Sequence, residues 1–340
     1  MLNKILVTGG AGYIGSHVAR KLLDKGYSVL VADNFSTGFV EPMEILRKKY
    51  SNFSYMNADL LDTEKLEEMF QNNKIDAVIH LAAKISVPES IEKPDLYNQV
   101  NYRGGVNLVE IMTKFGVGKI IFSSTAAVYG DPSYTPIDEN HPTKPLNPYG
   151  QTKLDFEKYL SRCPNLKYVV FRYFNVGGAS LDGILGKSHL ESQDLIENIM
   201  KVALGQKEGL EIYGDDFKTP DGSAIRDFIH VEDLAEAHIL ALRNMDNSLP
   251  GGSGEVFNLG SEKGFSIKET VLAANKFINK EIPMSITAKR AGDISVSIAS
   301  SKKAQNLLNW RALNSNLEDI ISSDWNWRKD HPMGYSKNNE

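Results

Sequence analysis

One cysteine, Cys163, is all that the 340-residue chain carries. A single thiol excludes an intramolecular disulfide and any thiolate cluster for zinc or iron–sulfur, and it fits a reducing compartment. The cytoplasm is the expected location. Cys163 precedes Pro164 at an expected helix end, where an inert packing role is expected of it. The seven histidines (17, 80, 141, 189, 230, 238 and 331) show no HExxH-like spacing, so no metal is expected. Basic residues are not in excess. Lys and Arg number 38 against 43 Asp and Glu, net −5, which argues against a binder of nucleic-acid backbones. No apolar run approaches the ~20 residues needed to cross a bilayer. The N-terminus opens on a strand pattern, Lys4-Ile5-Leu6-Val7, not on the charged and apolar regions of a secretory signal. Repeats, coiled-coil heptads and long low-complexity tracts are missing as well. What remains, 41% hydrophobic and 24% charged, is an ordinary globular composition. The length suits one large or two modest domains.

Residues 1–175 alternate short β-branched runs with longer helical patterns. Strands are predicted at Lys4–Thr8, Tyr27–Asp33, Phe53–Asn57, Ala77–Leu81, Lys119–Ser124 and Tyr168–Phe171. Helices are predicted at Tyr13–Asp24, Thr63–Gln71, Asp95–Phe115 and Pro148–Leu160. Apolar strands alternating with helices imply an α/β fold, a doubly wound parallel sheet covered on both faces and joined by right-handed crossovers. After Asn175 the rhythm breaks. A Gly-rich loop at 177–186 precedes helical patterns at Leu195–Leu204, Val231–Leu242, Ile267–Phe277 and Asn316–Trp327. A strand at Val256–Leu259 could return to the main sheet. The second part is read as a smaller C-terminal lobe over 176–332, packed by Trp310, Trp325 and Trp327, and 333–340 as a loose tail. Val106, Leu108, Val109 and Met112 lie on one predicted helix; subunit surface and core are both open for them.

Thr8-Gly9-Gly10-Ala11-Gly12-Tyr13-Ile14-Gly15 directly follows a predicted strand and opens a helix. Glycines let a backbone turn tightly and approach a pyrophosphate, and a helix N-terminus offers free N–H groups and the positive end of a dipole. Such a loop also occurs as a plain structural turn. Asp33 ends the second strand, 18 residues after Gly15, where a carboxylate can accept hydrogen bonds from an adenosine ribose and would repel a 2′-phosphate. NAD is therefore expected over NADP, and residues 1–175 are expected to form the Rossmann-type unit that holds it.

Tyr149-Gly-Gln-Thr-Lys153 places a phenol and an ammonium four residues apart, on one helix face. An adjacent cation favours phenolate, so the pair can act as a general base. An exposed helical pair is the bland alternative. The Phe122-Ser123-Ser124-Thr125 run argues against it, because it sits at the carboxyl end of a strand, where open α/β sheets bind ligands. Those hydroxyls could equally cap a turn.

TGGAGYIGSH at 8–17, the Asp33-Asn34 pair, SSTAAVYG at 123–130, the Tyr149–Lys153 pair and RYFN at 172–175 resemble the extended short-chain dehydrogenase/reductase family. DGSAIRDFIHV at 221–231 and Arg290-Ala291-Gly292-Asp293 resemble its UDP-glucose 4-epimerases in particular, and matches run from residue 4 to about Trp310. The resemblance implies that NAD is tightly held and not consumed. It implies that Tyr149 takes a proton from the sugar 4-hydroxyl, that Lys153 holds the ribose and lowers the Tyr149 pKa, and that Thr125 bonds the 4-oxygen. A transient 4-ketopyranose then turns over before the configuration at C4 is inverted. Cofactor contacts implied are Gly9, Gly12, Tyr13, Ile14, Asp33, Asn34, Asp59, Leu60, Leu81, Ala82, Ala83, Asn101, Ser123, Tyr149, Lys153 and Phe174. Contacts to a UDP-sugar implied are Thr125, Tyr149, Asn175, Leu195, Tyr213, Arg226, Arg290, Asp293 and Ser297. A homodimer is implied too, with no nucleic-acid or membrane partner.

The chain departs from the family pattern in places. Thr125 replaces the usual serine, Pro88 a glycine, and Asp194 an asparagine or histidine; Lys84 is a weak candidate. The small Ser297 is expected to leave room at the sugar C2 position and admit the N-acetylhexosamine pair UDP-GlcNAc and UDP-GalNAc. A 4-epimerase restricted to UDP-GlcNAc or to UDP-glucuronate, a coenzyme-releasing reductase and a non-catalytic dinucleotide sensor remain alternatives. A 4,6-dehydratase would need an acid–base pair where Ala126 and Ala127 stand.

Overall fold

The computed structural model describes residues 4–188, 194–245, 254–290 and 292–336. Its first half supplies strands β1 (Lys4–Thr8), β2 (Ser28–Asp33), β3 (Phe53–Asn57), β4 (Ala77–His80), β5 (Lys119–Thr125) and β6 (Lys167–Tyr173). Beyond them come β7 (Asn175–Gly177), β8 (Leu210–Tyr213), β9 (Ile225–His230) and β10 (Gly254–Leu259), then β11 (Gly264–Ser266), β12 (Met284–Thr287) and β13 (Val296–Ser297). Seven strands form one parallel sheet in the order β10-β6-β5-β4-β1-β2-β3. The 256–259 segment thus returns to the main sheet, beside β6.

Successive residues of a strand point to opposite faces. Ile5 and Val7 enter one core with Val18 and Leu22 of the Tyr13–Asp24 helix and Leu234 and Ile239 of the Val231–Asn244 helix. Leu6 enters the other with Leu66, Leu108, Met112 and Phe156. Val106, Leu108, Val109 and Met112 are all buried in this second core, which decides between the two readings left open for them. Trp310 corrects another expectation. It packs in the main-sheet core, with Nε1–H donating to the Asp233 carbonyl at 2.8 Å, instead of filling the second lobe. Trp327 packs with Phe39, Ala179 and Tyr335. The tail after Pro332 is likewise not loose over its first residues. Tyr335 is buried, and its hydroxyl accepts a hydrogen bond from Gly186 N–H at 3.0 Å; residues 337–340 lie outside the described residues.

The predicted Asp95–Phe115 helix is a composite. Pro94–Tyr97 and Gly104–Lys114 are α-helical, and Asn98–Arg103 between them is a π-helix. Cys163 donates to the Tyr159 carbonyl, and burial pushes its thiol pKa up, away from reactivity. Among the described residues no helix is long and apolar enough to cross a membrane.

Candidate active site

The strand order reverses between β1 and β4, and the loops leaving their carboxyl ends are in close apposition. Gly9 has φ +71°, a left-handed conformation, and a Cβ there would lie 2.5 Å from Ala82 N. A Cβ on Gly15 would overlap the Gly9 carbonyl oxygen. Ala82 therefore lines the turn, and Gly15, absent from the expected contact set, is what lets the helix start so near it. Tyr13 and Ile14 occupy the first two helical positions, whose N–H groups have no carbonyl one turn earlier. The Tyr13 side chain itself is committed elsewhere: its hydroxyl donates to Gly178 O at 2.5 Å. What Tyr13 offers an anion is its backbone. Replacing Gly9 by alanine should cost at least about 1–2 kcal/mol from the left-handed φ alone, and should weaken dinucleotide binding measured by calorimetry.

Asp33 accepts hydrogen bonds from Ala11 N–H (3.0 Å, Oδ2) and Phe35 N–H (2.8 Å, Oδ1). Burial pushes its pKa up and those two donors pull it down. Each oxygen keeps acceptor capacity for ribose hydroxyls. Asn34 donates to Asp59 Oδ2 at 2.8 Å, while Asp59 Oδ1 accepts from Leu61 N–H, so these two expected contacts form one rim. Leu60 is different. Its side chain is core and its carbonyl accepts from Asn107, so what it would offer a ligand is its backbone N–H. Leu81 N–H is bonded to Thr8 O.

Asn101, expected as a cofactor contact, is buried and works as a clamp. Its Oδ1 accepts from Lys84 N–H (2.8 Å), and its Nδ2 donates to Lys84 O (2.9 Å) and to Thr152 Oγ1 (3.3 Å). All of its polar atoms tie the 81–84 loop to the Tyr149–Lys153 helix. Lys84 takes part through its backbone; its ammonium stands 3.9 Å from Glu89.

The Pro148–Leu160 helix begins with Asn147, whose side chain accepts from Gly150 N–H at 2.8 Å, and Pro148 fills the first turn. Gly150 has no room for a Cβ, which would lie 2.8 Å from Ala127 O. The helix start therefore rests on the turn that follows β5. Thr125 acts on the Tyr149 phenol and lowers its pKa against the effect of burial. Thr125 Oγ1 accepts from Ala127 N–H at 3.1 Å and keeps its own hydrogen and one acceptor site. Lys153, buried, donates to Ser123 O at 2.8 Å and lies 4.9 Å from the Phe122 ring centroid. Two of its three donors remain. The Tyr173 hydroxyl is hydrogen-bonded to His238 Nε2 at 2.7 Å.

One expectation is corrected here. Tyr149 is not brought below its ordinary value in the chain by itself. Burial raises its pKa, Thr125 lowers it, and Lys153 is turned to the Ser123 carbonyl. Burial brings the lysine itself down to about 7, against the opposing pull of Glu157. Phe174, another expected contact, is buried in a cluster with Val128, Tyr129 and Leu154.

On the other side, β9 pairs with β13 so that Arg226 stands opposite Ser297. Arg226 NH1 donates to the Ile225 and Ile294 carbonyls at 3.0 and 2.9 Å. The Arg290 guanidinium covers the Tyr213 ring at 4.4 Å and pairs with Asp293 at 3.2 Å. Burial lowers the Arg226 pKa; Asp293 raises it and Arg290 lowers it, so the three charges act on one another. Two guanidiniums against one carboxylate leave a positive excess that suits a diphosphate. Ala291, within the same motif, lies outside the described residues. Asn175 sits on β7, opposite Phe228 of β9. Leu195 packs against the Ile196, Phe228 and Ile320 cluster. Asp194, the departure beside it, caps that helix through Glu197 N–H at 3.0 Å and pairs with Lys187 at 2.7 Å, so its charge is compensated within the protein.

Residues 5–260 match the model of the NAD dependent epimerase/dehydratase family. A UDP-glucose 4-epimerase of Lacticaseibacillus casei is 44% identical over 338 residues, 98% of this chain and 99% of that one. The crystal structure of the Bifidobacterium longum UDP-glucose 4-epimerase in complex with NAD+ and UDP is similar at TM-score 0.92 and 37% identity, covering 98% of this chain and all of that one. The UDP-Glc/GlcNAc 4-epimerase of Campylobacter jejuni is similar at TM-score 0.83 and 39% identity, over 96% and 99% of the two chains. With a glycine turn, a strand-end carboxylate and a tyrosine–lysine pair placed around the point where the sheet reverses, the chain belongs to the NAD dependent epimerase/dehydratase family.

Proposed function

We propose that the protein inverts C4 of UDP-hexoses, interconverting UDP-glucose and UDP-galactose through a transient 4-ketone. The observation that carries this reading is the placing of Tyr149 and Lys153 one turn apart on a helix that starts against the turn after β5, with the Lys153 ammonium donating to Ser123 O at 2.8 Å. When bound, NAD supplies the hydride acceptor and donor for C4. Backbone N–H groups at Tyr13 and Ile14 would hold its pyrophosphate and Asp33 its adenosine ribose; a carboxylate there disfavours a 2′-phosphate.

Tyr149 takes the proton of the sugar 4-hydroxyl and later returns it. Thr125 donates to the phenol oxygen and steadies the charge that forms there. Lys153 turns its two remaining donors to the nicotinamide ribose, and as an ammonium it opposes the burial that holds Tyr149 protonated. Arg226 and Arg290 take the diphosphate, with Asp293 setting the Arg290 fork. In this reading the main sheet carries the cofactor, the segments beyond residue 175 carry the UDP-sugar, and the active species is a cytoplasmic homodimer. Sedimentation as a monomer at micromolar concentration would overturn the homodimer.

Gel-filtered protein with no added coenzyme should convert UDP-galactose to UDP-glucose, followed by NMR, and denaturation should release NAD, identified by mass spectrometry. Activity that appears only with added coenzyme points instead to a reductase that releases its dinucleotide.

Ser297 extends the reading to N-acetylhexosamines. It is a small residue on β13 next to Arg226, and the similar Campylobacter protein is named for both UDP-Glc and UDP-GlcNAc. UDP-GlcNAc should be turned over by the wild type. Ser297→Tyr should reduce that turnover by at least about tenfold while sparing UDP-glucose. Negligible wild-type rates with the N-acetyl pair would end this part.

A further inference from the structure

We infer that Glu157 is a positioning residue for the proposed reaction: its buried carboxylate fixes the Pro148–Leu160 helix to β5 and β6 and supplies the negative charge that Lys153 meets from its own helix. This rests on the role given to Lys153 above. Glu157 lies four residues after Lys153, one turn along the same helix. Both are buried. Three bonds converge on the carboxylate. Ser124 Oγ donates to Oε1, Arg172 Nε donates to Oε1 at 3.1 Å, and Arg172 NH2 donates to Oε2 at 2.6 Å. Ser124 is next to Thr125 on β5, and Arg172 is on β6, so one side chain links the strand that carries the threonine to the helix that carries the tyrosine and lysine. Arg172 is fixed in turn: NH1 donates to the Tyr129 hydroxyl at 2.9 Å, which donates to Asn258 Oδ1 of β10 at 2.6 Å. A shift of the helix along the sheet would break all of these together.

The same carboxylate answers a problem created by burial. An ammonium enclosed by protein tends to lose its proton. The groups around Lys153 offer little to prevent this. His80 of β4 is a neutral imidazole, driven to about 3 by burial and by Lys153 itself, and Tyr149 is held protonated by burial. Ser123 gives a carbonyl, Phe122 a ring face, and Tyr173 of β6 a neutral phenol. Glu157 is the group that pulls Lys153 back towards its charged form. A helix pair that only packed the domain would need no carboxylate at this position.

The experiment is the pH profile of epimerisation by the holoenzyme. Phenolate and ammonium are needed together and Lys153 has the lower pKa of the two groups, so it sets the acid-side limb of the profile, and removing the Glu157 charge moves that limb down. In Glu157→Gln the limb should fall by about one pH unit relative to wild type, while Glu157→Asp, which keeps the charge, should hold it closer to the wild-type position. A Glu157→Gln limb superimposed on wild type, in protein that unfolds at the wild-type temperature, overturns the inference. If Glu157→Gln does not fold, the double variant with Arg172→Met removes both buried charges and is judged alike: a limb moved down supports the inference and an unmoved limb overturns it. Lys153→Met separates the two layers. Wild-type kcat in that variant would sink the role of Lys153 itself, whereas lost activity there with an unmoved Glu157→Gln limb would sink Glu157 alone.

Discussion

Replacing Tyr149 with phenylalanine should lower kcat for UDP-hexose epimerisation about 10²–10⁴-fold, the usual contribution of a positioned general base. KM should change little, because the substitution removes one hydroxyl from a ring that the protein already surrounds. The ring packs edge-on to Tyr97 at 6.5 Å between centroids, and phenylalanine can keep that contact. The pH dependence of the wild type follows from the two groups of the pair. Burial raises Tyr149, so the phenolate is scarce at acid pH and grows as pH rises. Lys153, brought to about 7, carries its proton below that value and loses it above. An enzyme that needs phenolate and ammonium together therefore has a bell-shaped profile, with the lysine setting the acid-side limb and the tyrosine the alkaline one. In Tyr149→Phe the bell should collapse, not shift. A variant that epimerises at the wild-type rate would assign the proton transfer to another group and overturn the mechanism proposed for this site.

The main sheet was legible because each of its strands is an apolar run set between helical patterns, and burial on both faces requires that composition. The strands of the smaller sheets were not. β9 reads Ile-Arg-Asp-Phe-Ile-His, with charge where a core strand should be apolar. Asp227 is tolerated there, fully buried, because it accepts from Ser261 N–H and Oγ–H, Glu262 N–H and Ala299 N–H, partners that are distant in sequence. No local pattern announces such a network. The π-helix at Asn98–Arg103 escaped notice for a related reason. One widened turn hardly disturbs amphipathic spacing over twenty residues, and its use became visible only once Asn101 was seen to bind Lys84 and Thr152. The Val40–Lys49 helix starts after Phe39 with no side-chain cap and has Pro42 in its first turn, so the usual polar start signal is absent. In the site, motif spacing placed Tyr149, Lys153 and Thr125 together, since they share one helix and the strand before it. Spacing could not distinguish a side chain turned to a ligand from one turned inward. Leu60, Tyr13 and Asn101 carry family-like positions, yet their side chains are occupied by the protein itself.

Arg172→Met should destabilise the fold by about 3–5 kcal/mol, the usual penalty for stranding one charge of a buried ion pair. The guanidinium and the Glu157 carboxylate are both almost fully enclosed and meet through two hydrogen bonds. Methionine fills much of the volume but leaves Ser124 as the one side chain still hydrogen-bonded to the carboxylate. Tyr129 loses a donor in the same step, which loosens its link to Asn258 and through it the Asn258–Ile137 bond. Urea unfolding with an unchanged m-value would report the loss as stability alone. Adding Glu157→Gln to Arg172→Met should recover most of it, because the remaining amide is uncharged and Ser124 can still donate to it. That recovery separates two reasons for keeping an ion pair here. If the double variant is as stable as wild type while its acid-side limb has moved down, the pair exists for the charge at Lys153 and not for stability. A single Arg172→Met variant that loses less than about 1 kcal/mol would instead place water beside Glu157, since an exposed ion pair contributes no more than that.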